Sequence, residues 1–313
     1  MNRLNIFKVC KSKYNVSLWQ CPQFMFLMMG IVIIASSLFF YALGQRYLIQ
    51  PETLALVVMF VATLLLVISF VVTRSFEGLA ETNKIKDEFI NIVSHQLRSP
   101  LTSLRWASQF LIKHKENNLD PDDYIEYFDL IKENSIRMEK LIDDLLIITR
   151  LNDQKVDKRK ANFSLSDLAH EVTKEYAAVA NKFNIKIKFK TEEEVVPLVF
   201  SNEYLIRIVL RNLIDNAISY SDEDSEVNIN FKNKGKKLAI TITDYGVGIP
   251  KDVKKRIFEK FFRAKNIMHK KVNGTGLGLY ICKLIMNTLK EKIWFESKEG
   301  ESTTFGFSLS VNN

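Results

Sequence analysis

The sequence predicts three parts in series: a membrane α-hairpin, an α-helical hairpin that completes a four-helix bundle as a dimer, and an α/β two-layer sandwich. Three observations predict it. Two apolar runs without a single charge stand at 24–44 and 54–73. Apolar residues then recur at helical spacing through two segments joined by a short polar stretch. From Phe163 onward, helical stretches mix with short alternating strands. With 313 residues the chain is long enough for two or three domains, and at 47% hydrophobic and 26% charged it is too apolar and too mixed in charge to be disordered. The three cysteines, Cys10, Cys21 and Cys282, show no C-x-x-C spacing. That argues against a disulfide scaffold and a zinc site, and fits a reducing compartment. A net charge of +8 suits nucleic acid or anionic lipid, and the distribution of the charge decides between them.

Each apolar run is close to the ~20 residues with which a helix crosses a ~30 Å hydrocarbon core, and a helix satisfies its own backbone groups there. A cleaved signal peptide does not fit the first run, which is too long, lacks a small-x-small site and is followed by a second run. Arg3, Lys8, Lys11 and Lys13 precede the first run with no acid among them, and Arg74, Lys84 and Lys86 follow the second. The connecting segment carries only Arg46 and Glu52. The positive-inside rule then places both termini in the cytoplasm, with Trp19, Tyr41 and Tyr47 at the interfaces. Residues 1–23 form a cytoplasmic segment, 45–53 a short external loop, 74–84 a connecting helix, 85–152 the helical hairpin and 163–313 the sandwich. The loop is too short to fold into an external binding domain. A transporter subunit is disfavoured because neither span carries an ionisable residue.

At ~100° per residue, Phe89, Ile92, Val93, Gln96, Leu97 and Leu104 share one helix face, while His95 falls on the opposite flank with Asn91, Arg98 and Thr102. Pro100 removes the bond to the Gln96 carbonyl, so a bend is expected one turn after His95. Asp120-Pro121 reads as an N-cap and first helical residue. Beyond it Tyr124, Phe128, Ile131, Ser135, Met138, Ile142, Leu145 and Thr149 keep the 4-3 spacing of a coiled-coil seam. Two helices cannot bury so wide a stripe, hence the expected dimer. Phe89 to Thr102, FINIVSHQLRSPLT, resembles the phospho-acceptor box of bacterial sensor histidine kinases. Ser94, His95, Leu97, Arg98, Pro100 and Leu101 carry the match.

In the C-terminal part, a helix is expected over 164–181, strands over 185–190 and 197–200, and a helix over 203–219. Strands follow over 226–232 and 237–244, then a helix over 277–289 and two closing strands, 292–297 and 303–310. Four motifs fall at connections. NLIDNA spaces Asn212 and Asn216 i, i+4 on one helix face, a neutral amide pair suited to Mg²⁺ shared with phosphates and water. Asp244, Gly246, Gly248 and Ile249 form D-x-G-x-G-I, a carboxylate at a strand end with glycines for close approach. FEKFFRA, Phe258 to Ala264, is an aromatic anchor. Gly274, Thr275, Gly276, Leu277, Gly278 and Leu279 open a helix whose amides can hold phosphate. Each alone is a weak signal: an Asn pair usually lies on a helix surface, and an F-x-x-F pair usually in a core. In this order they resemble the GHKL (Bergerat) type ATP-binding domain shared by histidine kinases, the Hsp90 chaperones, type II topoisomerases and the MutL mismatch-repair proteins. The acceptor box selects the histidine kinases, and the resemblance covers about residues 80–310.

The resemblance implies a membrane sensor kinase of a two-component system. An ATP γ-phosphoryl group passes to His95 and on to a response-regulator aspartate, with accompanying phosphatase activity. It implies ATP and Mg²⁺ as cofactors, and as partners a homodimer, the response regulator, the lipid bilayer and a membrane sensory protein, with no nucleic acid. Asn216 matches the Mg²⁺ ligand, Tyr220 the aromatic beside adenine and Asp244 the adenine-reading acid. Asn212, Gly246, Gly248, Ile249, Gly274, Thr275, Gly276, Leu277, Gly278 and Thr303 complete the nucleotide site. Residues 250–273 form the lid, in which Lys265, Lys270 and Lys271 face phosphate or solvent. Several positions depart from the family. The acid usual after the acceptor is Gln96, which cannot act as a base. Ser99 stands for Thr or Asn, keeping a hydroxyl. Ser219 replaces a basic residue, whose role would fall to a lid lysine or Arg263. Lys290-Glu291 replaces a Gly-Gly turn. Gln96 and Ser219 motivate an alternative, a membrane-tethered ATP-binding adaptor with little or no kinase activity.

Overall fold

The computed structural model describes residues 21–47, 51–114, 120–153, 159–191, 196–264 and 274–311. The basic residues ahead of the first apolar run, Trp19, most of the polar connection after His114 and the lid lysines lie outside the described residues. The chain divides into two compact units at the His95–Gln96 boundary.

The first unit holds helix α1, Pro22–Tyr47, and the N-terminal part of α2, Pro51–Lys113. Both helices are long and apolar enough to cross a membrane. Their large side chains stay exposed, with Val32 at 61%, Leu38 at 64% and Phe60 at 71%, where a core helix of a water-soluble protein would bury them. Gly44 lies against Leu54, and a β-carbon there would run into it. Helix α2 continues unbroken for 63 residues through Gly78 and Pro100, so the bend expected at Pro100 does not interrupt the assigned helix. One reading is corrected: Cys21 is disulfide-bonded, so the expected reduced thiol holds for Cys282 alone among the described residues. Spacing motifs do not reveal a bridge closed by the fold.

The second unit starts within α2 and continues into α3, Pro121–Asn152. As expected, Asp120 caps α3, accepting from the Asp122 N–H at 3.4 Å. Within one chain the 4-3 seam is only partly covered. Tyr124, Ile131, Met138 and Leu145 are half-buried, while Phe128, Ser135, Ile142 and Thr149 are exposed. A second stripe, Leu141, Ile148 and Leu151, joins the core of the following sandwich.

The sandwich contains β1 (Ala161–Phe163), α4 (Leu165–Glu175), α5 (Ala177–Lys182), β2 (Lys186–Thr191), β3 (Val199–Ser201), α6 (Glu203–Tyr220), β4 (Glu226–Asn233), β5 (Lys237–Asp244), α7 (Gly278–Leu289), β6 (Lys292–Lys298) and β7 (Ser302–Ser310). The main sheet runs β2-β4-β5-β7-β6. It is mixed rather than wholly antiparallel, because β2 and β4 pair parallel; α6 supplies the crossover such a pair requires. β1 and β3 form a separate two-stranded sheet. The expected helix over 164–181 is interrupted at Tyr176, which ends α4 and precedes α5. Leu165, Val172, Leu205, Val209, Leu213 and Ile285 from the helices meet Ile229, Ile240, Ile242 and Phe307 from the sheet in one core. Lys290 closes α7 with φ 60, in the left-handed region that a Gly-Gly turn would enter at less cost. Glu291 anchors that turn, pairing with Lys237 at 2.7 Å and accepting the Ser310 N–H at 3.0 Å.

Candidate functional site

Helix α6 sets the site. Asn202 caps it, accepting the Leu205 N–H at 2.9 Å. Leu205, Ile206, Val209, Leu210, Leu213, Ile214 and Ala217 turn into the core. The opposite strip then carries Asn212, Asp215, Asn216 and Ser219, spaced i, i+3, i+4 and i+7. These four side chains, with Tyr220, form one wall of a cleft of 320 Å³. The other wall is Gly274, Thr275, Gly276, Gly278 and Leu279, at the start of α7, with Ile257, Phe262 and Arg263. Arg263 Nη1 donates to the Gly274 carbonyl at 3.4 Å. Asn212 holds its amide by donating to the Ile208 carbonyl at 2.9 Å, and its Oδ1 lies where a β-carbon on Gly278 would be. The glycine there lets the two walls approach. A helix N-terminus facing two neutral amides favours an anion on one side and shared cation ligation on the other.

A third side of the cleft comes from α3, through Glu133, Ile136, Arg137 and Lys140. Lys140 Nζ pairs with Asp215, and Arg137 Nη2 donates to Gln96 Oε1 at 3.5 Å. One turn on, Asp144 Oδ2 accepts from the Thr275 hydroxyl at 2.7 Å, with both residues buried. Thr275 Oγ1 in turn accepts from the Leu277 N–H at 3.3 Å. Burial pushes the Asp144 carboxyl above its ordinary value, opposed by the Thr275 bond and by Lys140. Burial likewise raises the Tyr220 phenol, opposed by Arg263.

Asp244, Gly246, Gly248, Ile249, Leu277 and Thr303 are not among the residues lining this volume; all six are buried. Asp244 ends β5 at 4% exposure, directly opposite Thr303 on β7. Thr303 Oγ1 and Ser297 Oγ lie 2.9 Å apart, and Ser297 Oγ accepts the Ile249 N–H at 2.9 Å. Gly246 bridges to Ser221, and its missing side chain leaves room for the Tyr220 carbonyl. Tyr220 therefore joins the cleft to the Asp244 strand end. On α2, His95, Arg98 and Ser99 are exposed and Gln96 is half-buried. Thr102 returns its hydroxyl to the Arg98 carbonyl at 2.8 Å. Reading by motif missed Arg137, Lys140, Asp144 and Ser297. Their signal was slight: charged residues at 137, 140 and 144 interrupt the apolar stripe of α3.

A helical phospho-acceptor segment followed by a GHKL-type ATPase sandwich defines the histidine-kinase class, and comparison with known proteins agrees. Residues 85–154 match the "His Kinase A (phospho-acceptor) domain". Residues 201–313 match the family "Histidine kinase-, DNA gyrase B-, and HSP90-like ATPase". The chain thus carries both domains of a sensor histidine kinase. The Adaptive-response sensory kinase SasA of Crocosphaera subtropica is 31% identical over 248 residues, 77% of this chain and 64% of that protein. The Sensor protein RprX of Bacteroides fragilis is 28% identical over 271 residues, 86% of this chain and 52% of that protein. The crystal structure of histidine kinase ThkA in complex with response regulator protein TrrA matches with a TM-score of 0.57 at 26% identity, covering 74% of this chain and 64% of that one. The chain therefore spans less than two thirds of the length of each of these relatives.

Proposed function

We propose that this chain is a membrane-bound sensor histidine kinase of a two-component system. The observation that carries the reading is the single cleft shared by the Asn212–Asn216 face and the glycine-rich start of α7, in a chain whose phospho-acceptor match contains His95. Two spans, at 24–44 and 54–73, hold the chain in the inner membrane with both termini cytoplasmic. The exposed apolar circumference of α1 and of the first part of α2 supports the spans, and the orientation rests on the flanking basic residues Arg74, Lys84 and Lys86. The apolar residues left exposed on α3, Phe128 at 60% and Ile142 at 47%, support pairing of two copies into a four-helix bundle.

In the proposed reaction, Asp244 accepts a hydrogen bond from the adenine amine, and the α7 N-terminus and Arg263 hold the phosphates. Asn216 holds Mg²⁺. Asn212 and Asn216 stand together on the cleft wall, neutral amides that suit an ion held partly through phosphate and water. Bound there, the ion would supply charge neutralisation to the phosphates. The His95 ring nitrogen attacks in line: an N–P bond forms, the β,γ-bridging P–O bond breaks, ADP leaves and the imidazole proton passes to solvent. Gln96 cannot take that proton, and its amide oxygen is engaged by Arg137, so water at the exposed His95 serves instead. The phosphoryl group then passes to a response-regulator aspartate. The stimulus enters through the bilayer, a membrane partner or the cytosol.

The test uses the full-length chain in lipid nanodiscs with γ-labelled ATP and Mg²⁺. The expected label is acid-labile and base-stable, and disappears in His95→Ala. Label that persists in His95→Ala sinks the acceptor assignment. ATP binding without any label favours the adaptor.

A further inference from the structure

The family resemblance leaves an electrostatic gap at Ser219, where a basic residue commonly faces the phosphates. In this chain Ser219 is on the cleft wall and carries no charge. A side chain on a helix leans back toward the N-terminus and covers the turn before its own Cα. A long basic residue at 219 would therefore set its charge over position 215, one turn earlier on the same face. That place already holds a cation. Lys140, from α3, pairs its ammonium with Asp215 and lines the cleft beside Asn212 and Asn216. Its side chain is 40% exposed and that of Asp215 29%, so the pair is open to a ligand in the cleft.

Helix α3 is fixed in this position from two sides. Leu141, Ile148 and Leu151 pack into the core of the sandwich. Asp144, four residues after Lys140 and so on the same face, is bonded to Thr275 in the glycine-rich wall. Arg137 is engaged by Gln96, and Arg263 by the Gly274 carbonyl on the far wall. Lys140 lines the cleft with Arg137 and Arg263 and pairs with Asp215, which lies on the asparagine face itself.

We infer that Lys140 is a nucleotide-binding residue, supplied by the phospho-acceptor domain, that replaces the missing base at 219 and contacts the terminal phosphates. The inference rests on the ATP-binding reading of the cleft and deepens it. Asp215 acts as a holder: it keeps the ammonium in place while the cleft is empty and yields it to a more highly charged polyphosphate. Nucleotide affinity then depends on α3 being docked. The tightest binding belongs to the arrangement with Asp144–Thr275 made, and ADP, with one phosphate fewer, gains less from it.

The experiment measures affinities of the full-length chain in lipid nanodiscs for ATP, ADP and adenosine, by displacement of a fluorescent ATP analogue. Lys140→Ala is expected to weaken ATP by about tenfold, as for a lost charge-assisted bond, ADP by less, and adenosine not at all. Lys140→Arg retains ATP affinity. Asp215→Asn frees the ammonium and leaves ATP binding equal or tighter, whereas a purely structural ion pair would make it fall with Lys140→Ala. Ser219→Lys in the Lys140→Ala background restores ATP affinity. Equal losses for ATP and adenosine, a loss in Asp215→Asn matching that in Lys140→Ala, or no rescue by Ser219→Lys overturns the assignment. Wild-type chain that binds no ATP overturns the ATP-binding reading itself. Wild-type chain that binds ATP while Lys140→Ala binds it equally well overturns this inference alone.

Discussion

Removing the hydroxyl of Thr275 tests whether α3 is docked on the sandwich in solution. Thr275→Val keeps the shape and deletes the donor to Asp144 Oδ2, a 2.7 Å bond between residues each 6% exposed. Solvent screening is therefore slight, and the carboxylate left behind cannot recover a water. Hydrogen bonds to charged groups contribute about 1.5–3 kcal/mol, and an orphaned buried acceptor adds to the loss. Part of that is returned because Lys140 still acts on the carboxylate, so the net expectation is about 2–3 kcal/mol. The pairwise part is isolated by a cycle with Asp144→Ala, whose coupling should be about 1.5–3 kcal/mol. The assay is hydrogen exchange of the full-length chain in nanodiscs, read as local opening free energy over peptides covering 138–151. Faster exchange confined to those peptides and to the start of α7 is expected. Effects of the two single changes that simply add would refute the reasoning, since residues that do not touch show no coupling.

Three further outcomes follow from the same geometry. Gly278→Ala places a methyl group against Asn212 Oδ1. ATP affinity, measured by analogue displacement, should fall about tenfold. Gln96→Glu supplies the missing base, but Arg137 will hold the new carboxylate and lower its basicity. The initial autophosphorylation rate should therefore rise near the lower end of the usual range, about 10²-fold, and an unchanged rate would place proton transfer outside the limiting step. Burial holds the Asp144 carboxyl above the ordinary 3.8, so the folded chain binds this proton more tightly than the unfolded one. The stability it contributes is complete below pH 3.8 and is lost as pH rises through the folded value. Asp144→Asn, neutral throughout, should raise the urea midpoint at pH 7 and give no gain at pH 3.

Some of this was legible from local pattern alone. KLAITITD alternates cleanly and forms a strand over the expected residues, 237–244, and the NLIDNA helix placed Asn212 and Asn216 on the cleft wall as its spacing required. β1 was not visible because three residues, Ala161–Phe163, show no period. The break at Tyr176 was hidden because the residues after it, AAVANK, continue a good helical sequence. The parallel pairing of β2 with β4 is a property of the crossover, which no strand encodes by itself. A second buried face of α3 was not visible for a related reason. A 4-3 repeat announces that a helix buries a stripe, yet Leu141, Ile148 and Leu151 face a sandwich that follows them in the chain. Lys140 and Asp144 gain their meaning from Asp215 and Thr275, 75 and 131 residues away, and such pairings leave no local trace.

Cys282 sits in the middle of α7 with no exposed surface, its Sγ 3.8 Å from the Val209 carbonyl and its thiol pushed by burial far above the ordinary range. Alkylating reagents attack the thiolate, so this sulfur is silent while α6 and α7 stay packed. Its rate of modification becomes a clock for the opening of the sandwich. When opening and closing outpace the reagent, the rate reads the open population directly. A ligand seated between Asn212 and the start of α7 would slow that clock by closing the same two helices on each other. The chain thus carries its own reporter of occupancy, readable peptide by peptide with no residue introduced and no phosphoryl transfer required.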